Sequence, residues 1–379
     1  MTSKCFSYAL ADRVAALLSP HQLGVGVRGG LEAIVHTVRQ VLQEGDDSLG
    51  VLQIDLINAY NMCDRDSAFR EVEQHFPDII KWVMTSYGSE AELVFGDKII
   101  FSRAGFHQGD PLAGLLFALV LQPIISKILA EVPSLSFHAW YLDDGTQVGN
   151  REDLQQVVDI ILEEGPARGL HLSTSATVRP PSKPKSTVWF PRQVVGDDPL
   201  ERGIPSIQEN GVVVLGSPIG DLNFTEQTIR DRFKKIKDIT DTLPQLQDAQ
   251  TEFVLLRSCL SIPKVMYTLR TTDPTPLQGL WQEFDCMTRE SLNRILGSPL
   301  NNTQWLQAQL PISLGGVGLK SAEDHSVAAF ASSKLSSQDL KEIILNKTEE
   351  GGPSNLSAPF LALLSAKQGE EATKQSLTG

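Results

Sequence analysis

"HAWYLDDGTQVG" (His138–Gly149) sets two adjacent acids, Asp143 and Asp144, between two apolar arms, with Gly145 directly after them. An unpaired carboxylate is costly to bury, so acids seldom interrupt an apolar run. The order arm, acids, glycine, arm predicts two strands joined by a tight turn with the acids at its tip. A second apolar run, "VLQID" (Val51–Asp55), reads as a buried strand that also ends on an acid. If both strands share one sheet, Asp55 and Asp143 converge. Carboxylates about 5 Å apart repel by roughly 3 kcal/mol per pair at an effective dielectric near 20. Such a cluster needs either protonation or a cation. Mg²⁺ takes oxygen ligands and keeps positions for phosphate oxygens, and two such ions suit an in-line phosphoryl displacement. The plain alternative for the acid pair is a solvated surface turn, and its apolar flanks count against that.

Composition bounds the possibilities. A chain of 379 residues exceeds one ordinary core, so two or three subdomains are expected. A hydrophobic share of 41% and a charged share of 21% are those of a globular protein. The net charge of −13 taken alone opposes a nucleic-acid partner, because phosphate contacts need Lys and Arg. The charge is uneven, however. "TIRDRFKKIKDI" (228–239) carries Arg230, Arg232, Lys234, Lys235 and Lys237, with Ile229, Phe233 and Ile236 at helical spacing. A solvated face and a phosphate-contacting face both fit that pattern. Cys5, Cys63, Cys259 and Cys286 lie far apart with no CxxC pair, which suggests neither a zinc site nor a disulfide framework. A reducing, intracellular location fits. The apolar stretch Leu115–Ala130 is interrupted by Gln122, Pro123 and Lys127, so it reads as a core helix, with no membrane partner expected.

Along the chain, residues 1–20 read as a helix, followed by the glycine-rich loop "HQLGVGVRGG" and a helix over "LEAIVHTVRQVLQ". Then come the Asp55 strand, a helix over "AFREVEQHFPDIIKWVMTSYG", and a hairpin over "AELVFGDKIIFSRAG" turning at Gly96-Asp97. A long helix starts near Pro111, a residue favoured in a first turn. The Asp143 hairpin, a helix over Leu154–Gly165 and the strand-like "GVVVLGSPIG" follow, and 225–330 look mainly helical. This order predicts an α+β fold, a split βαβ sheet with helices on one face. From about 333 the chain turns polar, through "TEEGGPSNLSAP", and a disordered tail is expected over 333–379.

"LQIDLINAYNMCDR", "GFHQGDPLAGLLFALVLQPI" and "WYLDDG" occur in that order with spacing that resembles motifs A, B and C of a reverse transcriptase palm. "VVVLGSPIG" resembles the primer-grip hairpin, motif E. "LLRSCLSIPKVMYTLRT" and "LPISLGGVGL" resemble the helical region beyond the palm in reverse transcriptases of non-LTR, LINE-like mobile elements. The resemblance implies partial fingers over 1–50, a palm over 51–221, a thumb-like helical region over 222–332, and RNA-directed DNA polymerase activity. It implies Asp55 and Asp143 as metal ligands with Asp144 in support, and the Leu56 carbonyl completing a shell for two Mg²⁺, with Mn²⁺ as a substitute. Tyr60 matches the steric gate under the incoming sugar, and a core aromatic is its plain alternative. Gln108 and Gly109 match the loop that contacts nucleotide and template. Leu215 and Gly216 match the primer grip. The implied partners are an RNA or DNA template with its primer, and deoxynucleoside triphosphates.

The match is uneven in three places. Asp110 stands where serine is common, and it can cap the helix at Pro111. The motif D lysine is ambiguous: the expected position after "GLHLSTS" holds Ala176, and Lys185 in "KPKSTVW" is the other candidate. The family's basic fingers strand would precede "SKCFSYALADRV", where this sequence starts. On that expectation the chain polymerises weakly unless another polypeptide supplies the strand. Two rivals follow: a catalytically dead nucleic-acid-binding remnant of a mobile element, and an RNA-dependent RNA polymerase. Tyr60 opposes the second, since a ribonucleotide needs the room its ring would fill.

Overall fold

The computed structural model describes residues 2–345 apart from 179–181, 184, 192–199, 201, 202 and 208. Two compact units divide them: residues 2–209 with 339–345, and residues 210–338.

The first unit opens with α1 (Thr2–Ala9), α2 (Ala11–Leu18) and α3 (Gly30–Glu44). β1 (Gly50–Ile54) leads through α4 (Ala59–Met62) to α5 (Arg65–His75) and α6 (Ile80–Tyr87). Two helices stand where one was expected, because Pro77 removes a backbone donor between them. The hairpin β2 (Ala91–Phe95) and β3 (Lys98–Ser102) follows, then α7 (Ala113–Glu131), β4 (Phe137–Tyr141), β5 (Asp144–Gly149), α8 (Arg151–Glu164) and β6 (Thr187–Trp189). The main sheet has the order β4-β5-β1-β6, with every neighbouring pair antiparallel.

Burial explains why β1 is central. Leu52 and Ile54 point into the main core with Trp140 of β4 and Val188 of β6, against Leu116, Phe117 and Leu121 of α7. Val51, Ala139 and Val148 on the other face are buried too, and α3 lies against β4. α7 is apolar and long enough to cross a membrane by length alone. Here it forms the spine of the unit, packed between α5 and α8. Its Pro123 sits inside the helix.

The second unit carries the hairpin β7 (Gly211–Val214) and β8 (Ser217–Gly220), then α9 (Leu222–Thr240), α10 (Ala249–Leu255), α11 (Ile262–Thr271), α12 (Gln278–Leu296), α13 (Asn302–Gln309) and α14 (Ala322–Ser336). Ile229, Phe233 and Ile236 of α9 face a core with Leu269, Trp281 and Phe284. The basic face of α9 is partly neutralised on the spot. Arg230 pairs with Glu226 at 2.7 Å and Glu283 at 3.2 Å, and Lys237 pairs with Asp241 at 2.8 Å. The polar tail expected from 333 is corrected at its start. α14 continues to Ser336 and α15 (Gln338–Ile344) follows, because Phe330, Ala331 and Ile344 are buried despite the polar residues between them. Residues 346–379 lie outside the described residues.

Candidate active site

β1 and β5 pair in a register that sets Ile54 opposite Gly145. The next pair along is Asp55 and Asp144. Strand alternation turns both away from the face that holds Ile54 and Trp140. The β4–β5 turn has two residues, Leu142 and Asp143, between the paired Tyr141 and Asp144. Leu142 has φ 56°, the left-handed conformation this turn position usually gives to glycine. For a leucine it costs about 1–2 kcal/mol.

The end of β1 is clipped from the other side. The Ser186 hydroxyl donates to the Asp55 carbonyl at 3.1 Å and accepts from the Asp55 N–H at 3.0 Å. Ser173 N–H donates to the same carbonyl at 2.9 Å, and Ile57 N–H donates to His171 O at 2.8 Å. Leu56 bridges Leu172 between those two bonds, so its own carbonyl takes no part in that ladder. The clip also delivers Lys185, whose Nζ lies 3.8 Å from Asp55 Oδ2. Ala176, the other motif D position, is exposed and makes no such approach.

The electrostatics match a cluster short of positive charge. Burial pushes the Asp55 carboxyl above its ordinary value, Lys185 opposes that, and Asp143 adds to it. Asp144 sits at the exposed hairpin tip, yet loss of hydration around its carboxyl raises it, and Asp143 and Asp55 raise it further. Among the described residues no three His, Cys, Asp or Glu side chains are close enough to enclose an ion by themselves. The acids alone therefore do not complete an ion's shell.

Tyr60 lies on α4, after Asn58 in a left-handed conformation. Its ring stacks on Phe117 of α7, with centroids 4.8 Å apart and planes 14° apart. Its hydroxyl, Leu142 and Val25 surround Gly114, each about 4 Å from where a side chain there would begin (3.7, 3.8 and 3.8 Å). Burial, then the charge of Asp143, pushes the Tyr60 hydroxyl up to about 12, so it stays neutral beside the acids. The backbone of Tyr60 also anchors the next loop, with Phe106 N–H donating to Tyr60 O at 2.8 Å and Gly105 N–H to Cys63 O at 2.8 Å. Buried Arg65 holds the loop's underside through Gly105 O at 2.8 Å, Ser102 O at 3.1 Å and Ala104 O at 3.3 Å. Gln108 and Gly109 then stand exposed, Gly109 with φ 97°. Asp110 accepts from Tyr87 OH at 2.6 Å and Leu112 N–H at 3.1 Å, bracing the turn that leads into α7, which begins at Ala113 with no side-chain cap.

In the second unit, Leu215 and Gly216 form a two-residue turn with φ 46° and 81°. Tyr267 OH donates to Leu215 O at 2.9 Å, and Arg232 donates to Gly216 O.

Residues 1–179, which hold Asp55, Tyr60, the Gln108 loop and the Asp143 turn, match the profile of the family described as reverse transcriptase (RNA-dependent DNA polymerase). Over these residues the chain is similar to that family. The chain is also similar to a retrotransposable element SLACS 132 kDa protein of Trypanosoma brucei gambiense, 24% identical over 359 residues. That alignment covers 92% of this chain and 28% of the relative's length. Among solved structures, apo telomerase from Candida tropicalis aligns with a TM-score of 0.45 and 13% identity over 99% of this chain and 60% of that one. Telomerase from Candida albicans, in complex with a TWJ fragment of telomeric RNA, aligns with a TM-score of 0.41 and 10% identity over 91% of this chain and 59% of that one.

Asp55, Tyr60, Asp143 and Asp144 lie within the matched residues, and Lys185, beyond them, joins them in the same compact unit. Gln22, Arg65, Ser173 and Ser186 are the supporting residues that sequence reasoning missed. Ser186 adjoins a lysine already singled out, which was the available signal. Arg65 carried none, because most of its hydrogen bonds go to backbone carbonyls.

Proposed function

We propose that this chain is an RNA-directed DNA polymerase, adding deoxynucleotides to a primer 3′-hydroxyl on an RNA or DNA template with release of pyrophosphate. The observation that carries the reading is the open carboxylate set at the end of β1, with Lys185 3.8 Å from Asp55 and the Tyr60 ring braced on Phe117. On this reading 1–50 are partial fingers, 51–221 the palm and 222–332 thumb-like. Two Mg²⁺ ions, or Mn²⁺, fit the donor set of Asp55, Asp143, Asp144 and the Leu56 carbonyl, and would supply charge neutralisation at the reacting phosphate. The chain's own residues orient and select. Tyr60 fills the space a 2′-hydroxyl would need. Gln108 and Gly109, exposed on an anchored loop, contact the nucleotide. Leu215 and Gly216 present backbone to the primer. Lys185 is the proton donor to the leaving pyrophosphate.

Primer extension on an RNA template with Mg²⁺ tests the reading. Extension by the wild type, absent from Asp143→Asn, is the expected result; equal product from both overturns it. In the same assay Tyr60→Val narrows the preference for deoxy- over ribonucleotides by at least ~10-fold, the worth of a few methylene-sized contacts. Tyr60→Phe keeps the ring and the preference. Unchanged selectivity in a Tyr60→Val chain with a normal melting transition removes Tyr60 from the gate.

Lys185→Ala separates proton donation from binding. We expect kcat to fall ~10²-fold, the lower end of general-acid contributions, with KM for the nucleotide little changed. A wild-type kcat in the variant rules the role out.

A further inference from the structure

We propose that Gln22 is a positioning residue for the active site, setting the backbone at Leu142 and hence the place of Asp143. This rests on the polymerase reading. Residues 21–23 run beside β4, with Trp140 N–H donating to His21 O at 2.6 Å and Leu23 N–H donating to Trp140 O at 2.8 Å. At Leu142 the backbone ladder gives way to a side chain. Leu142 N–H donates to Gln22 Oε1 at 2.8 Å, and Gln22 Nε2 donates to Leu142 O at 3.0 Å. Gln22 Oε1 also accepts from Gly24 N–H at 3.0 Å. The amide can face only one way, since a flipped group would set donor against donor and oxygen against oxygen. Gln22 is fully buried, so no water substitutes for it. The segment approaches so closely that a Cβ on residue 24 would lie 2.5 Å from Leu142 N.

Leucine does not choose a φ of 56° on its own. Gln22 bonds both the N–H and the C=O of Leu142, and so fixes the peptide planes on either side of it. The second of those planes carries Asp143. Gln22 therefore does for an acid what an outer-shell partner does for a metal ligand: it holds the ligand's geometry without touching the ion or substrate.

Two measurements test this: Mn²⁺ binding to the full chain by water-proton relaxation, and kcat for single-nucleotide addition, with melting recorded for each variant. Gln22→Ala removes all three bonds. Gln22→Glu keeps the shape but sets an oxygen against Leu142 O. Both are expected to lose ~10- to 100-fold in Mn²⁺ affinity and in kcat. Adding Leu142→Gly to Gln22→Ala should recover part of the loss, because glycine takes the left-handed conformation unaided. A residue that merely filled the core would show no such rescue. Folded Gln22→Glu with wild-type Mn²⁺ affinity and kcat overturns the proposal, as does a double variant no better than Gln22→Ala. If Gln22→Ala fails to fold, the comparison of Gln22→Glu with wild type decides. If wild type binds no more Mn²⁺ than Asp143→Asn, the polymerase reading of Asp143 has failed and the proposal falls with it. Wild type binding normally while the Gln22 variants match it is the separate failure of positioning alone.

Discussion

Asp143→Asn lowers primer extension by on the order of 10³-fold and leaves the first unit folded. On the proposed reading the loss follows from weaker holding of the cations, which would neutralise the phosphate charge. That is worth several kcal/mol, and each 1.36 kcal/mol is tenfold in rate. The fold does not depend on this side chain, which sits in a two-residue turn and is not part of the core. Stability should in fact shift the other way. Asp143 is among the groups that raise both Asp55 and Asp144. A group with a raised folded-state pKa contributes stability below its unfolded pKa and loses it as pH rises through the folded value. The contribution of Asp55 and Asp144 to the stability of the metal-free wild type should therefore fall as pH climbs out of the carboxylate range, from roughly 4 towards 7. Asp143→Asn should flatten that slope, and millimolar Mg²⁺ should remove it in the wild type. Melting curves across that pH range check both points. A variant with wild-type extension, or a wild type indifferent to pH and Mg²⁺ alike, contradicts the electrostatics described.

Gly105→Ala should cost about 3–5 kcal/mol and disable the site from a distance, adding backbone strain to overpacking. Residue 105 has φ 68°, and a Cβ there would lie 2.3 Å from Tyr60 O and 2.5 Å from the Asn61 backbone. Neither neighbour can swing aside, because both are main chain of α4. Gly105 N–H is also bound to Cys63 O, and its carbonyl accepts from Arg65 at 2.8 Å. To relieve the clash, either α4 moves with the Tyr60 ring, or the loop carrying Gln108 and Gly109 detaches from it. Chemical denaturation should show the lost stability, and the folded fraction should discriminate poorly between sugars. Wild-type stability in this variant would mean the two segments do not meet as described.

The acids and Tyr60 were legible because their signal is local: an acid after an apolar strand, an acid pair at a hairpin tip, an aromatic one turn on. Asp110 was expected to cap a helix at Pro111; the helix starts at Ala113 without a side-chain cap, and Asp110 braces the turn before it. Gln22, Arg65, Ser173 and Ser186 were not legible. Their partners are mostly backbone groups distant in sequence, and a backbone N–H or carbonyl leaves no mark on residue type. Lys185 stayed ambiguous because contacts of Ser173 and Ser186, formed across a proline-rich insertion, decide where that lysine lands. The break between α1 and α2 at Leu10 has no proline or glycine to announce it, and Leu10 is drawn into the core. The helices beyond 333 hid in polar composition, since a few buried side chains suffice to dock a short helix.

The segment at 21–23 also bears on how the protein behaves among copies of itself. β4 is the last strand of its sheet, and an uncovered outer strand offers its N–H and C=O groups to any passing chain. Here that edge is occupied beside Trp140 by the parallel bridge from Gln22. The stretch that steadies the acid turn thus also blocks edge-to-edge growth of the sheet next to it. A chain unable to seat this stretch would expose a sticky β edge alongside Asp143 and Asp144, coupling loss of solubility to loss of the acid turn's geometry.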